Sequence, residues 1–155
     1  MFPPMFPTDP GPHPPDRPSA SDLPQLRRAD GGAWLVLLAD DNAVNREVGT
    51  AMLQLLGLQV HTAEDGDDAL QMLTGTAYDL VLMDLQMPRL DGFATTRSLR
   101  ALPGRHALPV IAVTANNSPQ SRQDCIAAGM DGFVTKPIDI LLLAVALQRC
   151  LPATG

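Results

Sequence analysis

Asp40, Asp41 and Asp84, together with Thr114 and Lys136, are the residues from which a chemistry can be argued. Each stands at or just beyond the end of an apolar run: "WLVLLAD" with Asp41 next, "YDLVLMD", "LPVIAVTA" and "DGFVTK". Lys136 is the single lysine of the chain, all the other basic residues being arginine. A position that keeps lysine against that habit wants a compact ammonium on a flexible stem, not a planar fork. Three carboxylates brought together repel one another unless a cation sits among them. An all-oxygen set suits a hard ion, Mg2+ or Ca2+. The DxDxDG spacing of a calcium loop is absent, and Mg2+ commonly takes one or two carboxylates plus waters and phosphate oxygens. A hydroxyl and an ammonium facing the same ion are donors for the oxygens of a transferring phosphoryl group. One aspartate would then be the nucleophile, forming an aspartyl phosphate, with Lys136 as the point charge beside it. Taken singly, each residue has a plainer reading: Asp41 as a helix N-cap, Thr114 as a β-branched strand residue, Lys136 as a solvated charge. Those readings do not account for complementary groups at four strand ends.

Positioning these groups is the task of a regular alternation that starts at Trp34. "WLVLLAD" and "YDLVLMD" are continuous apolar runs, as strands buried on both faces require. "LQVHTA" alternates, and "LPVIAVTA" and "DGFVTK" supply two more strands. Between them lie helical stretches. In "DNAVNREVGTAMLQLLG", Val44, Val48, Met52 and Leu55 recur at helical spacing and Gly57 stands where a helix ends. "DGDDALQMLTG" carries acids at its start. "DGFATTRSLRAL" follows the third strand, "SPQSRQDCIAAG" has Ser at the cap, Pro at the first position and Gly at the end, and "PIDILLLAVALQRCL" closes the series. Five βα units with short connections predict an α/β fold, a doubly wound five-stranded parallel sheet with right-handed crossovers. Ligands of such sheets bind beyond the carboxyl ends of the strands. With strand order 2-1-3-4-5, the ends of strands one, three, four and five line one crevice.

Composition bounds the rest. The 155 residues, 45% apolar and 18% charged, suit one globular domain. A net charge of −6 with scattered arginines argues against a nucleic-acid surface. No apolar run approaches the about 20 residues of a membrane span, and the proline-rich start has no signal-peptide core, so a cytoplasmic location is expected. Cys125 and Cys150 read as free thiols, and His13, His61 and His106 are too dispersed for a metal site. Nine of the 15 prolines fall within the first 24 residues. Residues 1–31 therefore read as a disordered tail or linker whose PxxP patterns draw little support as ligands, and residues 32–152 as the domain.

"LLADDNAVNRE", "VLMDLQMPRLDGF", "IAVTAN" and "GMDGFVTKPID" together resemble the receiver domain of two-component response regulators, over about Trp34 to Leu151. The wording is most similar to receivers attached to hybrid histidine kinases. The resemblance implies a flavodoxin-like fold, a phosphorelay role, and a histidine kinase or histidine phosphotransfer domain as partner. It implies Asp84 as phosphoacceptor, with Mg2+ held by Asp40, Asp41, Asp84 and the backbone carbonyl of Gln86. Thr114 and Lys136 would bind the phosphoryl group, and the Lys136–Pro137 bond would be cis. Phe133 stands at the aromatic switch position where tyrosine is common. Gln86 and Asn116, two residues past Asp84 and Thr114, would tune phosphate lifetime.

Two rival classes have discriminators. A small Mg2+-dependent aspartyl-phosphate phosphatase resembles a DxDx[TV] motif, whereas "MDLQM" lacks the second aspartate; turnover of a phosphate ester would reveal it. A degenerate receiver acting as an unphosphorylated docking module would fail to bind Mg2+. No stretch is left for an output domain. The chain reads as a stand-alone receiver of hybrid-kinase ancestry, or as a fragment of such a kinase.

Overall fold

The computed structural model describes residues 23–152. Five strands alternate with five helices: β1 Leu35–Ala39, α1 Ala43–Leu55, β2 Gln59–Ala63, α2 Gly66–Gly75, β3 Leu80–Asp84, α3 Gly92–Arg100, β4 Val110–Thr114, α4 Pro119–Ala128, β5 Gly132–Thr135 and α5 Ile140–Cys150. All neighbouring strands pair in parallel, in the order β2-β1-β3-β4-β5. β3 and β4 are buried along their whole length, as their unbroken apolar runs require.

Alternation along the strands divides the core in two. Val36 and Leu38 of β1 face one side, with Leu53 and Leu56 at the end of α1 and Leu143 and Leu147 of α5. Leu37 and Ala39 face the other, with Leu73 of α2, Leu99 of α3 and Cys125 of α4. Cys125 is buried and Cys150 half-buried, both as free thiols. Helix entries follow the sequence signals: Asn42, Asp65, Asp91, Ser118 and Asp139 each turn a side-chain oxygen onto the backbone N–H groups of the first turn. Gly57 and Gly129 adopt φ values of 91° and 96° just past α1 and α4, a conformation that glycine tolerates without a Cβ penalty.

Two expectations differ from the structure. Val44, Val48 and Leu55 do not form the buried face of α1; they are 64%, 47% and 48% exposed. Gly49 and Leu53 are buried instead. A Cβ on Gly49 would lie 2.7 Å from a methyl of Leu38, so the glycine lets the helix sit directly on β1. The division at residue 32 also shifts. Leu23 and Leu26 lie in the core, and the Leu26 N–H donates to the Leu56 carbonyl at 2.9 Å. Two leucines among the prolines therefore extend the packed body back to Leu23, while residues 1–22 of the expected tail lie outside the described residues. Among the described residues, no helix is long and apolar enough to cross a membrane.

Candidate functional site

Strand ends place every member of the site. Asp84 closes β3 and Thr114 closes β4, while Asp40 and Lys136 are the first residues beyond β1 and β5. Parallel pairing brings all four to the same edge of the sheet, and Asp41 follows Asp40 at the rim. Carboxylate oxygens of Asp40, Asp41 and Asp84 all lie within 4.8 Å of one another. Lys136 Nζ stands 3.4 Å from Asp84 Oδ1 and 3.6 Å from Asp40 Oδ2. The lone lysine of the sequence thus meets the two buried acids.

Burial and charge set the character of these groups. Asp40, Asp84 and Thr114 are buried at 4%, 3% and 2% exposure, whereas Asp41 is exposed. Burial pushes the Asp84 carboxyl above the ordinary aspartate range. An N–H bond from Gln86 opposes that rise, the charge of Asp40 adds to it, and Lys136 opposes it again. The Gln86 N–H donates to Asp84 Oδ1 at 3.2 Å, leaving Oδ2 as the oxygen without a backbone donor among these bonds. Asp40 is fixed through the Asn42 N–H, 2.9 Å from its Oδ1, and through Arg46, whose guanidinium donates to its carbonyl at 2.8 Å. The Thr114 hydroxyl accepts from the Asn116 N–H at 3.0 Å. The backbone of Lys136 donates to the Thr114 carbonyl at 2.8 Å, and its bond to Pro137 is cis.

Such a cluster can hold a hard divalent cation between the carboxylates and present an oxygen nucleophile beside a primary ammonium. The residues fit the ion: three carboxylates converge while one ammonium balances only part of their charge. Gln86 and Asn116 are exposed and line a polar hollow of about 360 Å³ between α3 and α4, on the flank of Thr114. Phe133 lies half-buried in β5, and the Arg122 guanidinium rests 4.8 Å from its ring centroid. Asp41 does not cap α1; Asn42 does.

Sequence reasoning passed over Arg46 and Arg122, and took Asp91 and Gly92 only as a helix entry. Arg46 is one of ten arginines without a distinguishing neighbour. Gly92 had a signal in "PRLDGF": a Cβ there would fall 2.9 Å from Leu85 Cα, so only glycine lets α3 begin against the strand that ends in Asp84.

Residues 36–148 match the family model of the response regulator receiver domain. The sensor histidine kinase RcsC of Salmonella typhimurium is 41% identical over 119 residues, which cover 74% of this chain and 12% of that kinase. The receiver domain of the sensor histidine kinase PA1611 from Pseudomonas aeruginosa, solved with magnesium coordinated in its active-site cleft, is 39% identical. That similarity covers 77% of this chain and 98% of the solved one, with a TM-score of 0.72. The chemotaxis protein CheY4 of Vibrio cholerae superposes with a TM-score of 0.74 at 31% identity, over 77% of this chain and 100% of that one. The chain spans 11–16% of the length of the curated relatives it matches.

Proposed function

Because the chain belongs to the response regulator receiver domain family and so serves in phosphorelay signalling, we propose that Asp84 is its phosphoacceptor. The convergence of Asp40, Asp41 and Asp84 on one point, with Lys136 Nζ 3.4 Å from Asp84, carries this reading. Asp40, Asp41, Asp84 and the backbone carbonyl of Gln86 would hold Mg2+. The ion supplies positive charge that neutralises the carboxylates and the incoming phosphoryl oxygens.

The donor is a phosphohistidine on a kinase or a histidine phosphotransfer domain, docked over the carboxyl ends of the strands. Asp84 attacks phosphorus in line, forming the O–P bond as the N–P bond breaks, and the departing imidazole keeps the electron pair and takes a proton. Lys136 exchanges its contact with Asp84 for the phosphoryl oxygens, and the Thr114 hydroxyl donates to another. That exchange biases a two-state surface of α4, β5 and α5, in which Phe133 and Arg122 form the contact between strand and helix. Gln86 and Asn116, at the open flank of the site, tune hydrolysis by water.

Intact mass after incubation with acetyl phosphate and Mg2+ tests this reading. One adduct of about 80 Da, the mass of one HPO3, should form with Mg2+ and be absent from Asp84→Ala. An adduct that survives the substitution, or none with either protein, would overturn it. Turnover of a phosphate ester would instead assign a phosphatase.

A further inference from the structure

The end of β2 contributes no member to the acid cluster, yet it grips the loop that leaves Asp84. Asp65 follows β2 by two residues and caps α2, where its Oδ1 accepts from the Asp68 N–H at 2.8 Å. The other oxygen, Oδ2, accepts from the Arg89 guanidinium at 2.6 Å. Arg89 lies between β3 and α3, three residues beyond Gln86. One side chain thus serves the entry of α2 with one oxygen and the β3–α3 loop with the other.

That loop is held in a conformation it would not adopt alone. Among the described residues, Arg89 is the one non-glycine residue with positive φ, 65°. The Leu90 N–H donates to the Pro88 carbonyl at 2.7 Å, closing a three-residue turn with Arg89 at its centre. A turn of that hand is strained for a residue with a Cβ and persists only where its surroundings hold it. Helix α2 supplies part of the hold. A Cβ on Gly66 would lie 2.8 Å from the Leu90 carbonyl oxygen, so the helix entry abuts the turn directly. The ion pair supplies the rest. The Arg89 side chain is 70% exposed, and Asp65 is its one hydrogen-bond partner among the described residues. An exposed pair adds little to global stability. Its effect is therefore local, on which conformations the loop can reach.

We infer that Asp65 and Arg89 are positioning residues for the metal site. Their ion pair holds the β3–α3 loop in its strained turn and so fixes the backbone around Gln86, whose carbonyl is the Mg2+ ligand proposed above. The inference rests on that reading of the site. A carbonyl ligand has no rotamer to adjust, so its place is set by the backbone alone. A loop already held gives up less freedom when an ion binds. Neither residue belongs to the converging carboxylates, which are Asp40, Asp41 and Asp84.

Two neutralising substitutions separate this latch from a plain effect of charge. Asp65→Asn removes an acid near the cation site, and Arg89→Gln removes a competing cation, so charge alone weakens Mg2+ binding in the first and strengthens it in the second. Loss of the latch weakens it in both. Asparagine keeps an oxygen to cap α2, so the helix entry survives. Titration of the full chain with Mg2+, followed through its backbone amide resonances, makes the test. Both substitutions should weaken binding by about tenfold, the lower end for residues that orient a metal's ligands, with urea midpoints unmoved. Without Mg2+, amide hydrogen exchange at Gln86 and Leu90 should quicken in both variants, and that at Val81 should not. Arg89→Lys, which keeps a cation for Asp65, should recover most of the affinity. Equal affinity in wild type and variants, or tighter binding by Arg89→Gln, would overturn the latch and leave the ion site standing. A wild type that binds no Mg2+ would overturn the ion site and the latch with it.

Discussion

Asp84 must be ionised to act as a nucleophile, yet it sits where ionisation is disfavoured. Its carboxyl is raised above the ordinary range chiefly by burial. A carboxyl that holds its proton more tightly when folded contributes stability at pH values below the unfolded value, about 3.9, and loses it as pH rises through the folded value. At pH 7 without Mg2+, ionised Asp84 therefore weakens the fold, and Asp84→Asn should raise the melting temperature. That gain should shrink on acidification below pH about 4. Adding Mg2+ should stabilise the wild type and leave Asp84→Asn nearly unmoved. Melts at both pH values, with and without the ion, check all three signs. Two residues from Leu90, Gly92 sets a steric condition on the same site. In Gly92→Ala the new methyl meets backbone rather than a movable side chain. A cost of about 1–3 kcal/mol in urea unfolding should follow, together with slower uptake of phosphate from acetyl phosphate.

At the scale of elements, α1 shows why one periodicity can mislead. Its sequence carries two stripes at helical spacing. Val44, Val48, Met52 and Leu55 form the more apolar one, and Gly49, Leu53 and Leu56 the one that packs. Counting hydrophobicity favours the first, but the sheet accepts the helix only along the glycine. Truncations separate the two. Leu53→Ala should cost about 2–5 kcal/mol, the range for a large aliphatic residue cut back in a packed core. Val48→Ala should stay within about 0.5 kcal/mol, as exposed substitutions do. Denaturation midpoints of both variants decide which face is inside. The strands were easier to read, because β1, β3 and β4 are apolar throughout and end abruptly in Asp40, Asp84 and Thr114. Helix entries were legible wherever a Ser, Asn or Asp preceded the run. Arg100 left no such trace: its guanidinium donates to the carbonyls of Gly129 at 2.6 Å and Arg105 at 3.1 Å and to Asp131 at 3.0 Å. Those partners lie in separate loops, which no local pattern announces.

Across the whole molecule, the body begins earlier than its composition implies. Proline density made residues 1–31 read as a tail, yet Leu23 and Leu26 of that stretch lie in the core. Leu26→Ala should cost about 2–3 kcal/mol. The loss should be visible in the emission of Trp34, which belongs to the same cluster and lies under the Arg28 guanidinium at 5.0 Å. A tail without structural weight would leave the midpoint unchanged. Trp34 precedes β1, at the end of the sheet away from the acids, so its emission follows the docking of residues 23–26 rather than events at Asp84. For the acid cluster the chain supplies a different reporter. Lys136 is its only side-chain amine, and the group is about a quarter exposed, 26%, between two carboxylates. An amine-selective acylating reagent therefore has one lysine to find in the entire protein. How fast that lysine is labelled, and how far beryllofluoride with Mg2+ slows it, gives a footprint of the phosphate seat without any engineered probe.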